Sequence, residues 1–176
     1  HPYKNFVYTS FQELATNISH RRVATLVKKT GNSLLAKING IIAADEARHA
    51  SAYSDFVKRI FELDPSQMMT SFEEMMRRKI VMPAHFMRQS GDKVGELWSH
   101  FSDAAQRTKV YTAQDYIDIL SSLIKDWNID KIKDLNDAGE KARDYLMALP
   151  DRLQRITNRM QEPEKEFEFK WIGPTI

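Results

Sequence analysis

The chain has 176 residues, and its 26 Lys and Arg against 24 Asp and Glu leave a formal net charge of +2 at pH 7, too mild to mark a nucleic-acid binder. Cysteine is absent, which excludes disulfides, thiolate metal ligands and a cysteine nucleophile. Apolar runs such as Ile41 to Ala44 are far short of the roughly 20 residues that membrane insertion as a spanning helix requires.

With 42% hydrophobic residues, only 6 Gly and 6 Pro, and few runs rich in Val, Ile and Thr, the composition points to one all-α domain. The first helical pattern covers Thr9 to Lys29, with Thr9 or Ser10 as N-cap and Gly31-Asn32 as the stop. A longer one covers Ser33 to Leu63 and ends at Asp64-Pro65. The short connection makes the two antiparallel neighbours. A third helix is expected from Ser66 to about Val81, where Met68, Met69, Met75 and Met76 suit irregular core gaps. Helices follow over about Gly95 to Thr108, Thr112 to Trp127 and Asn136 to Met160, and Thr112-Ala113-Gln114-Asp115 reads as a capping box. Phe167 to Trp171 alternates strictly, as in a short strand or extended arm.

Smaller signals carry less. Arg21-Arg22, Lys28-Lys29 and Arg77-Arg78-Lys79 read as solvated helix faces. Asn17-Ile18-Ser19 matches a glycosylation acceptor, but it lies in a helical pattern without an export signal and reads as chance. The opening His1-Pro2-Tyr3 has no initiator Met and no signal- or transit-peptide character, so it reads as the middle of a longer protein.

In the second helix Leu35, Ile38, Ile42, His49, Tyr53, Phe56 and Ile60 recur at spacings of three and four, with one gap that Asp45 or Glu46 fills. This stripe is expected to face the core, where a histidine and a carboxylate need compensation. Glu46 and His49 are three apart and so share a helix face. In the first helix Thr9, Glu13, Thr16, His20, Val23 and Val27 form a similar stripe, and a helix, turn and return can bring Glu13 level with Glu46. One Glu facing a Glu-x-x-His is half of the di-iron carboxylate site of ferritin-like bundles, which takes that set twice. A buried histidine paired to a helical carboxylate is the structural alternative. His1, His20, His49, His85 and His100 contain no pair at spacing three or four, which excludes zincin and histidine-box sites. Neither a Gly-x-Ser-x-Gly elbow nor a Gly-rich phosphate loop is present.

Four stretches carry a family resemblance: PYKNFVYTSFQELAT at Pro2 to Thr16, IIAADEARHASAY at Ile41 to Tyr53, FEEMMRRKIVMPAHFM at Phe72 to Met87, and HFSDAAQRTKVYTAQDYIDIL at His100 to Leu120. The chain resembles the soluble acyl-acyl-carrier-protein desaturases, the stearoyl-type enzymes of plastids and bacteria, and specifically their C-terminal half. The resemblance implies a ferritin-like di-iron helical bundle. It implies Glu13 as an iron ligand on the third bundle helix, Glu46 and His49 as the bridging Glu and terminal His of the fourth, and Thr16 as the threonine beside the oxygen-binding face. Asp45 then resembles the carboxylate that orients a ligand histidine, and Phe6, Met82 and Trp98 fall where the family lines its acyl tunnel. Family enzymes have Lys after Asp-Glu and Glu after His, whereas this chain has Ala47 and Ala50, neither of which removes a ligand.

The implied reaction puts a cis double bond into a saturated acyl chain carried on acyl carrier protein, using two irons, dioxygen and electrons from ferredoxin, in a homodimer of the plastid stroma or bacterial cytoplasm. The family's other Glu and Glu-x-x-His, which lie in its N-terminal half, are not in this sequence. Two other readings stand beside this one: a ferritin-like iron-binding or storage protein, and an inactive structural fragment. Acyl chain length and double-bond position are not specified by these residues.

Overall fold

The computed structural model describes residues 1–88 and 93–160, so the alternation over Phe167 to Trp171 lies outside the described residues. α1 runs over Pro2–Lys29. It starts seven residues before Thr9 because Pro2 sits in its first turn, where a missing N–H costs nothing, and His1 caps the Tyr3 N–H through Nδ1 at 3.4 Å. Thr9 and Ser10 are therefore interior rather than N-caps: their hydroxyls donate back to the carbonyls of Asn5 and Phe6, both at 2.8 Å.

Gly31, at φ 85°, supplies the left-handed turn after α1. Asn32 then caps α2, Ser33–Leu63, by accepting from the Leu35 N–H at 3.0 Å. Pro65 closes that helix and opens α3, Pro65–Arg78, which ends earlier than Val81 because Lys79 turns to φ 60°. A 3₁₀ turn over Pro83–Phe86 precedes α4, Glu96–Arg107. α5, Ala113–Asp126, has the expected capping box: Thr112 Oγ1 accepts from the Asp115 N–H, and Asp115 accepts from the Thr112 N–H at 2.8 Å. α6, Asp137–Thr157, is capped by Asn136, whose side chain accepts from the Gly139 N–H at 2.9 Å. The described residues are thus all-α, as the composition implied.

α1 and α2 form one long antiparallel hairpin, and α3, α5 and α6 build the core against it. Val7 and Phe11 of α1, Val57 and Phe61 of α2, Met68, Met69 and Phe72 of α3, Leu120 and Leu123 of α5 and Leu146 of α6 all enter this cluster. Each such large side chain contributes about 1.5–3 kcal/mol through burial. The expected gap-filling by methionine is seen at Met68 and Met69, which are fully buried. Trp127, just after α5, packs its ring 4.9 Å from Phe72 and donates from Nε1 to Ser54 Oγ at 2.9 Å, tying α2 to the core. Arg22 grips the buried Asp115 with two bonds of 2.6 and 2.7 Å and ties α1 to the start of α5.

The stripe on α2 expected to face the core reaches it only at Ile60. Leu35, Ile38 and Phe56 are exposed, as are Leu34 and Ile41. The buried face of α2 is instead Asn39, Ala43, Ala50, Val57 and Phe61. The small alanines let α1 approach closely, and only the last turns of the helix carry bulk toward the core. No helix among the described residues is long and apolar enough to cross a membrane.

Candidate metal centre

Antiparallel pairing makes residue numbers rise on α1 as they fall on α2, and it sets Glu13 opposite Glu46 and His49. One ligand atom from each lies within 4.8 Å of the others. His49 Nδ1 is 3.3 Å from Glu13 Oε2 and 3.4 Å from Glu46 Oε2. With its proton on Nδ1 the ring donates to these carboxylates; without it, the same nitrogen faces any cation they share. The carboxylates are drawn into the seam, with side chains 15% and 19% exposed, while the imidazole is 57% exposed.

Desolvation in the seam, then the hydrogen bond and charge of Glu46, push the Glu13 carboxyl from 4.5 up to about 7, against an opposing pull from His49. Two acids crowded in this way, beside an imidazole, lack a positive charge. Hard oxygen donors plus one nitrogen suit iron or a similar divalent cation, so the three residues fit a metal. Among the described residues this is the one group of that kind.

The remaining expected site residues are placed less uniformly. Thr16 lies half-buried one turn beyond Glu13, and its hydroxyl is directed to the carbonyls of Gln12 and Glu13, each at 3.1 Å. Asp45 pairs with Arg48 on its own helix instead of with His49. Phe6 packs 5.8 Å from Phe56 and 6.4 Å from Tyr53, ring to ring, on the seam that holds Glu13 and His49. Met82 and Trp98 are half-buried, one in the extended segment after α3 and one on α4. A groove of about 420 Å³ between α3, α5 and α6 is lined by Met76, Ile80, Tyr116, Tyr145 and Leu149, and none of Phe6, Met82 and Trp98 belongs to it.

The sequence reading passed over two neighbours of the site. The Asn17 amide donates to the Ala43 carbonyl at 2.6 Å, and Asn39 Oδ1 lies 2.8 Å from His20 Nδ1. The available signal was a polar residue at Asn39, one turn before Ala43 on the buried face.

A family described as Fatty acid desaturase matches residues 1–173. Stearoyl-[acyl-carrier-protein] 9-desaturase 1 of Arabidopsis thaliana is 49% identical over 175 residues, covering 97% of this chain and 44% of the relative. The corresponding 9-desaturase of Ricinus communis is 48% identical over 174 residues, covering 97% and 43%. Palmitoyl-[acyl-carrier-protein] 4-desaturase 3 of Ophrys sphegodes is 44% identical over 175 residues, covering 97% and 44%. The chain spans less than half the length of these curated relatives. The match along nearly all of this sequence accounts for both the helical class and the Glu and Glu-x-x-His on neighbouring helices, and the chain belongs to the fatty acid desaturase family.

Proposed function

We propose that the chain serves an acyl-[acyl-carrier-protein] desaturase, which converts a CH₂–CH₂ unit of a carrier-bound saturated acyl chain to a cis CH=CH. Dioxygen is the oxidant, and two electrons from ferredoxin with two protons complete its reduction to two waters. The convergence of Glu13, Glu46 and His49 carries this reading, in a chain about half identical to proteins named as such desaturases. Two bound irons would supply the redox chemistry that attacks an unactivated C–H bond.

This chain's own residues hold and shield. Glu13, Glu46 and His49 would bind iron, with Glu46 shared between two metals. The second Glu and Glu-x-x-His must come from elsewhere, upstream or on another chain, and a homodimer of complete subunits is the assembly we favour. Thr16, one turn beyond Glu13, is assigned to oxygen or proton handling. Its hydroxyl donates to the Gln12 and Glu13 carbonyls of its own helix. Asp45 is assigned to orient a ligand histidine supplied by the other half of the site, since its partner within this chain is Arg48. Phe6 with Tyr53 and Phe56 makes an apolar wall where an acyl chain would pass, and Met82 and Trp98 are assigned to the same path. Acidic carrier protein would meet basic surface, for which Arg78 and Lys79 are exposed. The compartment is the plastid stroma or the bacterial cytoplasm.

A graft tests the reading. The matching segment of the Arabidopsis relative is replaced by this chain, and the full-length enzyme is given iron(II), reduced ferredoxin, dioxygen and stearoyl- or palmitoyl-carrier protein. A cis-monoene by gas chromatography and mass spectrometry, lost on Glu46→Ala, is expected. A folded, iron-loaded graft that makes no double bond overturns the enzyme in favour of iron storage.

A further inference from the structure

We propose that Asn17, His20 and Asn39 are positioning residues that set the axial register of α1 against α2, and with it the approach of Glu13 to Glu46 and His49. The metal role of this inference rests on the reading of the Glu13, Glu46 and His49 group as a metal site; the register itself does not.

The three residues continue one polar seam away from that group. On α1 the positions are Glu13, Asn17 and His20, in steps of four and three; on α2 they are Glu46, Ala43 and Asn39, in steps of three and four backward. Each level is joined across the helices: Glu13 to His49 at 3.3 Å, Asn17 Nδ2 to the Ala43 carbonyl at 2.6 Å, and His20 to Asn39 at 2.8 Å. Asn39 Nδ2 also donates to the Leu35 carbonyl at 3.0 Å, which leaves Oδ1 as the atom facing His20. His20 therefore carries its proton on Nδ1 and is the donor.

The chemistry of the rungs is what sets the register. On the α2 side the seam is lined by small apolar residues, with Ala43 and Ala50 both buried, and such a surface packs nearly as well after a slip. The polar rungs do not, because displacement leaves the buried Asn39 amide without its partner and costs the half-buried Asn17 and His20 theirs. The Asn17 rung is the stricter of the two. It ends on a backbone carbonyl that the helix holds in place, and a side chain as short as asparagine cannot follow it through a shift of one turn, about 5.4 Å. Such a shift would carry Glu13 out of reach of His49.

The absence of cysteine permits a direct test. Lys28→Cys and Lys58→Cys, both exposed, carry spin labels at opposite ends of the hairpin, roughly 39 Å apart by the helical rise. Their separation is read by pulsed electron resonance in the metal-free chain, and cobalt(II) is then titrated by visible absorption. The expected result is one sharp distance in the parent. In Asn17→Leu/Asn39→Leu it shifts by about 5 Å or splits, helicity is kept, and cobalt(II) affinity falls 10-fold or more. His20→Gln, which can still donate to Asn39, should keep the parent distance and affinity. An unchanged single distance in the double variant overturns the proposal. A shifted distance with unchanged cobalt(II) affinity overturns its link to the metal site. If the double variant loses its helical signal, Asn17→Ala and Asn39→Ala singly decide by the same distance. A parent that binds no cobalt(II) overturns the link between register and metal affinity in the isolated chain, and the distances still decide the register.

Discussion

Glu13 shows how one side chain can report on a missing charge. Its carboxyl is raised to about 7 in the folded chain from 4.5 when free, so folding favours its protonated form. The stability linked to that proton is complete below pH 4.5 and is lost as pH rises through 7. Thermal unfolding of the metal-free chain should therefore occur at progressively lower temperature between pH 4.5 and 7. Glu13→Gln should flatten that slope, and a divalent cation at pH 8 should restore the parent's stability; an unaltered slope in the variant would remove the carboxyl from the account. Asp115 acts with the opposite sign. Desolvation is the largest influence on it and works upward, but Arg22 and Thr112 together hold its carboxyl below the usual 3.8, so its contribution is lost only in more acid solution. Arg22→Ala leaves that buried carboxylate to Thr112 alone and should cost about 1–3 kcal/mol in urea unfolding. The Arg22 pairing is not visible locally, since Arg22 and Asp115 stand 93 residues apart.

At the scale of elements, ends written in local chemistry were legible. Thr112 caps as its capping box says, and Asn32 and Asn136, read as a helix stop and a helix start, are the N-caps of α2 and α6. Thr9 and Ser10 are the same residue types in another role, since a hydroxyl one turn into a helix bonds backward as readily as it caps forward. Close approach between elements was not legible at all. Gly139 lies in the first turn of α6, and a Cβ there would stand 3.3 Å from Ser66 Cα and 3.2 Å from the Leu135 side chain. A glycine inside a helix normally gains from replacement by alanine, but here backbone must give way. Gly139→Ala should destabilise the chain by about 1 kcal/mol, read as a lower midpoint in chemical unfolding.

At the scale of the whole molecule, α1 and α2 are covered by the core on one side and carry the proposed metal ligands, an exposed imidazole and two seam carboxylates, which make half of the proposed di-iron set. The isolated chain should accordingly bind fewer than two irons per polypeptide. Elemental analysis that finds two would show that this chain completes the site by itself or with a second copy. The apolar stripe residues left exposed on α2, Leu35, Ile38 and Phe56, explain why it read as a core face: amphipathic spacing records that a face is apolar, not which neighbour takes it.

Sequence by itself determined the all-α class, most helix ends, the shared face of Glu46 and His49, and the family. These depend on composition, on caps, and on spacing within one helix, all of which are local. Only the tertiary structure decided that Ala43 and Ala50 face inward while Leu35 and Phe56 do not, that Trp127 reaches Ser54, and that Glu13 stands level with His49. Helical periodicity specifies an angle around one axis. The axial position of one helix along another is set by contacts between residues far apart in the chain, here the hydrogen bonds of Asn17 and His20.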